Sequence, residues 1–290
     1  MYSNVEYPLK QLAKDEFPAL LSEIPDAPER LYIKGKLPRP ETKLLCVVGS
    51  RRYTPYGKDV CKKLITNLRG SPVAIVSGLA LGMDSIAHHS AINAGLQTVA
   101  VPGSGLDKEV LYPRMNQKLA EDILESRGAL LSEFEPKFKA TPYSFPQRNR
   151  IMAGMSHATL VVEAGERSGT LITARLATEY NRDVMTVPGS ILSRSTYGPH
   201  ILIKTGAIPV TTSEDILEAL GIPKESVTNT SNLQNITDDE RKVLQLLSSP
   251  MKRDSLIETL GMDITEANIL LSVMELKGLI IERLGEIQSA

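Results

Sequence analysis

The sequence predicts an α/β fold: a doubly wound, mostly parallel Rossmann-like sheet with a small C-terminal winged helix-turn-helix domain. Three observations lead there. Five short apolar runs alternate with helix-like segments between Leu44 and Val187, small residues follow each run, and beyond Gly221 the composition turns polar before new helical patterns begin.

The runs are LLCVV at 44–48, VAIV at 73–76, TVAV at 98–101, TLVV at 159–162 and DVMTV at 183–187. Unbroken apolar runs of this length read as strands covered on both faces, as in parallel sheets. Gly57–Leu68, Gly82–Ala94, Pro113–Ser126 and Thr170–Tyr180 have helical patterns and supply the crossovers that a doubly wound sheet needs. Upstream, residues 17–38 read as one short helix and an edge strand, LYIKG, so residues 1–43 form an N-terminal extension packed on a core domain at 44–221.

Residues 222–235, with the polar stretch PKESVTNTSNLQN, read as a linker, and 236–290 as the second domain. Thr237 and Glu240 have capping-box spacing ahead of Val243, Leu244 and Leu247 at helical intervals. Helical patterns recur near Arg253–Leu260 and Thr265–Lys277, and the tail GLIIERLGEIQSA reads as a two-stranded wing around Gly285. The expected recognition helix carries Glu266 and Glu275 against a single Lys277, a poor balance for docking on phosphates. A partner-binding or dimer-supporting role fits it better than base reading.

The 290 residues carry a net charge of −1, so binding to nucleic acid has to rest on locally clustered arginines. No apolar run approaches the roughly 20 residues of a bilayer-spanning helix, and the start, Met1 to Lys10, lacks the apolar region of a secretory signal. A cytoplasmic protein with no membrane partner is expected. Cys46 and Cys61 fall in strand-like and helix-like apolar stretches, as buried thiols do. The histidines at 88, 89, 157 and 200 have no metal-ligand spacing and no nucleophile elbow is present, so no metal, cofactor or catalytic residue is assigned. His88 and His89 are expected on a helix surface, and Asp84 is expected to stabilise the N-terminus of its own helix.

The strands are followed by Gly49-Ser50-Arg51, Ser77-Gly78, Pro102-Gly103-Ser104-Gly105, Glu163-Ala164-Gly165 and Pro188-Gly189-Ser190. Ligands of open α/β sheets bind outside the carboxyl ends of the strands, where glycines let backbone N–H groups approach phosphate oxygens. Any one of these turns is explained by a tight strand-to-helix connection; five together point to a phosphate-bearing ligand. Arg148 and Arg150 flank Asn149 close to Phe145, a pairing of phosphate-gripping forks with a face that can stack a base. The alternative is internal pairing of these arginines with Glu133, Glu135 or Glu163. Arg51 and Arg52 follow the first turn, and Ser168, Gly169 and Thr170 lie in a phosphate-loop-like connection without the Gly-Lys-Ser/Thr ending of an ATPase.

Taken in order, VVGSRRYTPYG, SGLALGMDSIAHHSAINAG, VAVPGSGLDKEVLYP, LLSEFEP, FPQRNRIMAGMSHATLVVEAGERSGTLITARLA and VMTVPGS resemble the DprA/Smf family of DNA-processing proteins. The likeness spans roughly Phe17 to Leu220, and the acidic, Leu-rich tail resembles the winged-helix module of many members. It does not include the helical N-terminal domain of longer members. The resemblance implies a homodimer that binds single-stranded DNA and loads a RecA-type recombinase in natural transformation, without catalysis. Carried over, the DNA pocket comprises Ser50, Arg51, Phe145, Arg148, Asn149 and Arg150, with Arg52 beside it and the turns at Gly78, Gly103 and Ser168 to Thr170 as lining. Two stretches depart from the family pattern: Tyr197-Gly-Pro-His200-Ile-Leu-Ile stands where members have Gly-Thr-Asn-x-Leu-Ile, and the loop after Leu106 has one further residue before Tyr112-Pro113. The LOG phosphoribohydrolases share this type of core, but the position of their catalytic glutamate holds Thr173, which cannot serve as a carboxylate. A nucleotide-binding sensor remains the other alternative.

Overall fold

The computed structural model describes residues 7–166, 168–223, 237–247, 250–277, 279–283 and 285–289. Contacts divide the chain into two units, residues 1–228 and 229–290. Most of the predicted linker, from 224 to 235, lies outside the described residues; its first residue, Ile222, belongs to the core of the larger unit.

Among the described residues the larger unit is built on nine strands: β1 Lys10–Gln11, β2 Tyr32–Gly35, β3 Lys43–Val48, β4 Val73–Ser77, β5 Thr98–Ala100, β6 Ala129–Ser132, β7 Ala158–Val161, β8 Asp183–Thr186 and β9 Ile208–Pro209. Their order across the sheet is β1-β2-β6-β5-β4-β3-β7-β8-β9. From β6 to β9 every pairing is parallel, and β1 and β2 add an antiparallel margin. All five predicted runs are strands. LYIKG is not at the edge, since β2 pairs on one side with β1 and on the other with β6.

Side chains alternate across the sheet with the two-residue period of a strand. Leu45, Val47, Val73 and Ile75 point to one face, where α2 (Pro55–Thr66), α3 (Met83–Asn93) and α8 (Ser213–Ala219) pack. Leu44, Cys46, Val48, Ala74 and Val76 point to the other, against α1 (Ala19–Ser22), α5 (Ser144–Met155) and α6 (Gly169–Glu179). Two further helices, α4 (Gln117–Glu125) and α7 (Tyr197–Lys204), complete this unit, with α4 packed over Ala100 and Leu130. Cys46 and Cys61 are free thiols in the core, and burial pushes both up to about 12. Among the described residues no helix is long and apolar enough to cross a membrane.

One expectation for α3 is corrected. His88 is not on the surface: with Met83, Asp84, Ala87 and Ala91 it lies on the buried face, its Nδ1 2.7 Å from Thr98 Oγ1. Asp84 is the acidic residue in the first turn of α3, as expected, and does more besides. Its Oδ2 accepts hydrogen bonds from Gly78 N at 3.0 Å and Ala80 N at 3.3 Å, bracing the loop that leads into the helix.

The second unit has α9 (Asp238–Leu246), β10 (Met251–Lys252), α10 (Arg253–Leu260), α11 (Ile264–Leu276), β11 (Ile280–Arg283) and β12 (Glu286–Ser289) around a small apolar core. The capping box is present: Glu240 N donates to Thr237 Oγ1 and Thr237 N to Glu240 Oε2. The wing pairs β11 with β12, joined at Gly285, whose φ of +81° suits a residue without a side chain.

Candidate nucleic-acid interface

The chain places β4, β5 and β6 successively to one side of β3 and then returns to place β7, β8 and β9 on the other. The strand order therefore reverses between β3 and β7, and connections leaving their carboxyl ends in opposite directions open a crevice there. It has a volume of about 400 Å³. Gly49 to Arg52 after β3, Ala80 and Asp84 after β4, the inward face of α5, and Ser168 to Thr170 at the start of α6 line it.

The turn after β3 is shaped by Ser50, whose hydroxyl donates to Arg52 O at 2.8 Å and accepts from Arg52 N at 3.0 Å. This leaves Arg51 and Arg52 exposed, with the Arg51 guanidinium carbon 5.4 Å from the centre of the Phe145 ring, a cation over an aromatic face. Ser168 caps α6 by accepting from Thr170 N at 3.2 Å, so the positive end of an eleven-residue helix opens on the same space.

Helix α5 decides which residues of FPQRNRIMAG take part. Phe145, Arg148, Asn149 and Met152 follow the three- and four-residue spacing of one helical face and all line the crevice. Arg150 is two residues from Arg148 and cannot share that face. Its guanidinium donates to Glu133 Oε2 and to Asp26 O, a correction to its expected place in the pocket and an instance of the internal pairing weighed for it. This tie holds α5 against the N-terminal extension, where Tyr180 Oη also donates to Asp26 at 2.7 Å.

Arg148 reaches the crevice floor but is not a free fork. Only 4% exposed, it donates to Val101 O, and the buried carboxylate of Asp84 faces it. Burial raises Asp84 above the usual carboxylate range, while the Arg148 charge and the two loop amides pull it back. Gly78 and Gly103 are seats, not phosphate cradles: a Cβ on Gly78 would lie 2.0 Å from Arg148 Nη1, and one on Gly103 2.6 Å from Phe145 Cδ1. Gly78→Ala is expected to cost about 1–3 kcal/mol by overpacking, read as a lower midpoint in urea unfolding. Gly169→Ala, whose added Cβ meets nothing within 4 Å, is expected to leave the midpoint unchanged or raise it.

Nine predicted residues thus line one crevice: Ser50, Arg51, Arg52, Phe145, Arg148, Asn149, Ser168, Gly169 and Thr170. Thr173, 1% exposed, lines it as well. Not foreseen were Asp84 as a floor residue and Tyr112, whose ring centre is 5.5 Å from that of Phe145. The Tyr-Pro pair was quoted among the motifs, but its proximity to α5 comes from the fold. Among the described residues no group of side chains forms a metal site.

The family model for DNA recombination-mediator protein A matches residues 9–221, and that for the DprA winged helix domain matches 227–285. Protein Smf of Escherichia coli (strain K12) is 43% identical over 204 residues, 70% of this chain and 54% of that protein, so the match spans about half of the relative's length. DNA processing protein DprA of Streptococcus pneumoniae is 42% identical over 212 residues, 73% of this chain and 74% of that one. The X-ray structure of the S. pneumoniae protein superposes with a TM-score of 0.67 at 40% identity, covering 74% of each chain. DNA processing protein A from Helicobacter pylori, solved for its single-stranded DNA binding mode, gives 0.64 at 28% identity, covering 74% of this chain and 96% of that one.

Proposed function

The chain belongs to the DprA/Smf family of DNA-processing proteins, and from that premise we propose that it binds single-stranded DNA in the crevice between β3 and β7 and passes the strand to a RecA-type recombinase. The observation that carries this reading is the Arg51 guanidinium poised over Phe145 at the crevice mouth, which joins a phosphate ligand to a stacking surface in one place. Arg51, Arg52, Ser168 and the first amides of α6 hold phosphates, Phe145 stacks a base, and Arg148 and Asn149 form the floor. The work is strand handling, not catalysis, and is done by a homodimer in the cytoplasm during natural transformation. The winged helix supports a partner or the dimer: α11 has no Lys or Arg within Ile264–Leu276 and exposes Ile264 and Ile269 by 68% and 60%.

The test is fluorescence anisotropy of a labelled oligo-dT strand at low and moderate salt, with duplex and AMP as competitors. Arg51→Ala is expected to weaken binding about tenfold and to flatten the dependence of log affinity on log salt by about 0.7, the share of one phosphate contact on a single strand. Salt-independent binding, or an AMP complex with no strand complex, would overturn the reading.

A further inference from the structure

The turn beside the crevice mouth exposes apolar side chains on a rigid frame. Tyr112 is 46% exposed, Leu81 39% and Met115 80%. Side chains of this kind settle into a core unless the backbone beneath them is fixed, and here it is. Asn116, 8% exposed, donates to Leu79 O at 2.7 Å, Ala80 O at 3.2 Å and Ser85 Oγ at 2.9 Å, locking the turn to the loop after β4. Tyr112 N donates to Ser104 Oγ at 3.1 Å. Leu79 is held at φ +58°, a left-handed conformation rare for a leucine, with its side chain fully buried. An apolar surface preorganised in this way marks a place of contact.

We infer that this turn is a second strand subsite, with Tyr112 stacking the base next to the one on Phe145 and Arg114 holding the intervening phosphate. The inference rests on the strand-binding reading of the crevice. The two ring centres are 5.5 Å apart and the rings are tilted by 53°. That spacing exceeds the roughly 3.4 Å rise per nucleotide of a stacked strand and suits two neighbouring bases splayed over two facets. A small recess lined by Arg51, Leu81, Tyr112 and Phe145 makes the two platforms continuous. Arg114, on the same turn, is exposed and forms no ion pair among the described residues, so each platform has its own cation. Aromatic platforms paired with cations along a track are what a single strand needs.

The experiment compares the affinities of the full-length protein for the mononucleotide dTMP, which fills one platform, and for oligo-dT of about 4 nucleotides, which spans both. Tyr112→Ala is expected to weaken the oligonucleotide about tenfold, with little change for the mononucleotide, and Tyr112→Phe to restore it. Arg114→Ala should lower the salt dependence for the oligonucleotide alone. Unchanged unfolding midpoints establish that the variants are folded. Equal losses on the mononucleotide and the oligonucleotide, or no loss on either, overturn the second subsite while leaving the crevice in place. If the wild-type protein bound neither, both readings would fall. If Tyr112→Ala left DNA binding intact but abolished capture of a protein partner, the surface would belong to that partner instead.

Discussion

Arg148→Met is expected to destabilise the larger unit by about 1–3 kcal/mol, well beyond any substitution of Arg51 or Arg52, because it leaves the buried carbonyl of Val101 without its donor and the buried Asp84 without a nearby positive charge. Arg148 and Asp84 are 4% and 7% exposed and both line the crevice, each in the field of the other without a direct ion pair between them. Each offsets part of the desolvation of the other. Removing the positive charge leaves Asp84 dependent on the amides of Gly78 and Ala80 and on the charge of Arg51. The measurement is a double-mutant cycle in urea: Asp84→Asn added to Arg148→Met should recover part of the loss. If the two substitutions add independently, the floor is not a coupled pair. Loss of strand binding in a variant of Arg148 is therefore no evidence of phosphate contact unless folding is measured beside it.

A second large effect is expected in mild acid. Burial, with smaller contributions from the neighbouring charges of His89 and Arg148, pulls His88 from 6.5 down to about 3. Among the described residues its Nε2 has no well-aligned hydrogen-bond partner. A folded-state value below the unfolded one means that the unfolded chain binds the proton first, so this contribution is whole above pH 6.5 and is lost as pH falls towards 3. The gap corresponds to a loss of at most about 5 kcal/mol, of which about 2 kcal/mol is gone by pH 5. Urea midpoints across this range should fall steeply for the wild-type protein and less steeply for His88→Gln. Equal slopes would show that His88 binds its proton equally well in the folded and unfolded states, and would overturn the assignment. His157, whose Nδ1 accepts from Leu44 N, is pulled downward by burial too and remains as a common background in both proteins.

The parallel strands were legible because strands covered on both faces become unbroken apolar runs, as at 44–48 and 73–76. Strand β6 was not, since its four residues, Ala129–Ser132, follow directly on the pattern of α4 and end in a serine. Strand β9 is a two-residue strand containing a proline and has no periodicity to read. Within the site, the cluster of Arg148 and Arg150 was read by composition; the helical period of α5 would have separated them, since it groups Arg148 with Phe145, Asn149 and Met152. His88 was taken for a surface residue because it is polar, although Met83, Ala87 and Ala91 at helical spacing mark the buried face. The closeness of Tyr112 to Phe145 depends on the crossing of distant segments and has no local signal.

The reversal of strand order between β3 and β7 also sets a condition on synthesis. Leu45 pairs with Ala158 and Val48 with Val161, so the inner edge of β3 has no partner until the ribosome has made most of the larger unit. A nascent chain that has completed β3 to β6 presents that apolar edge with its backbone groups open, a template for pairing with another chain. Closing it requires contacts of high sequence separation, which form slowly. The same pairing that creates the crevice therefore makes it among the last features to assemble, and the half-made protein is the form most exposed to aggregation.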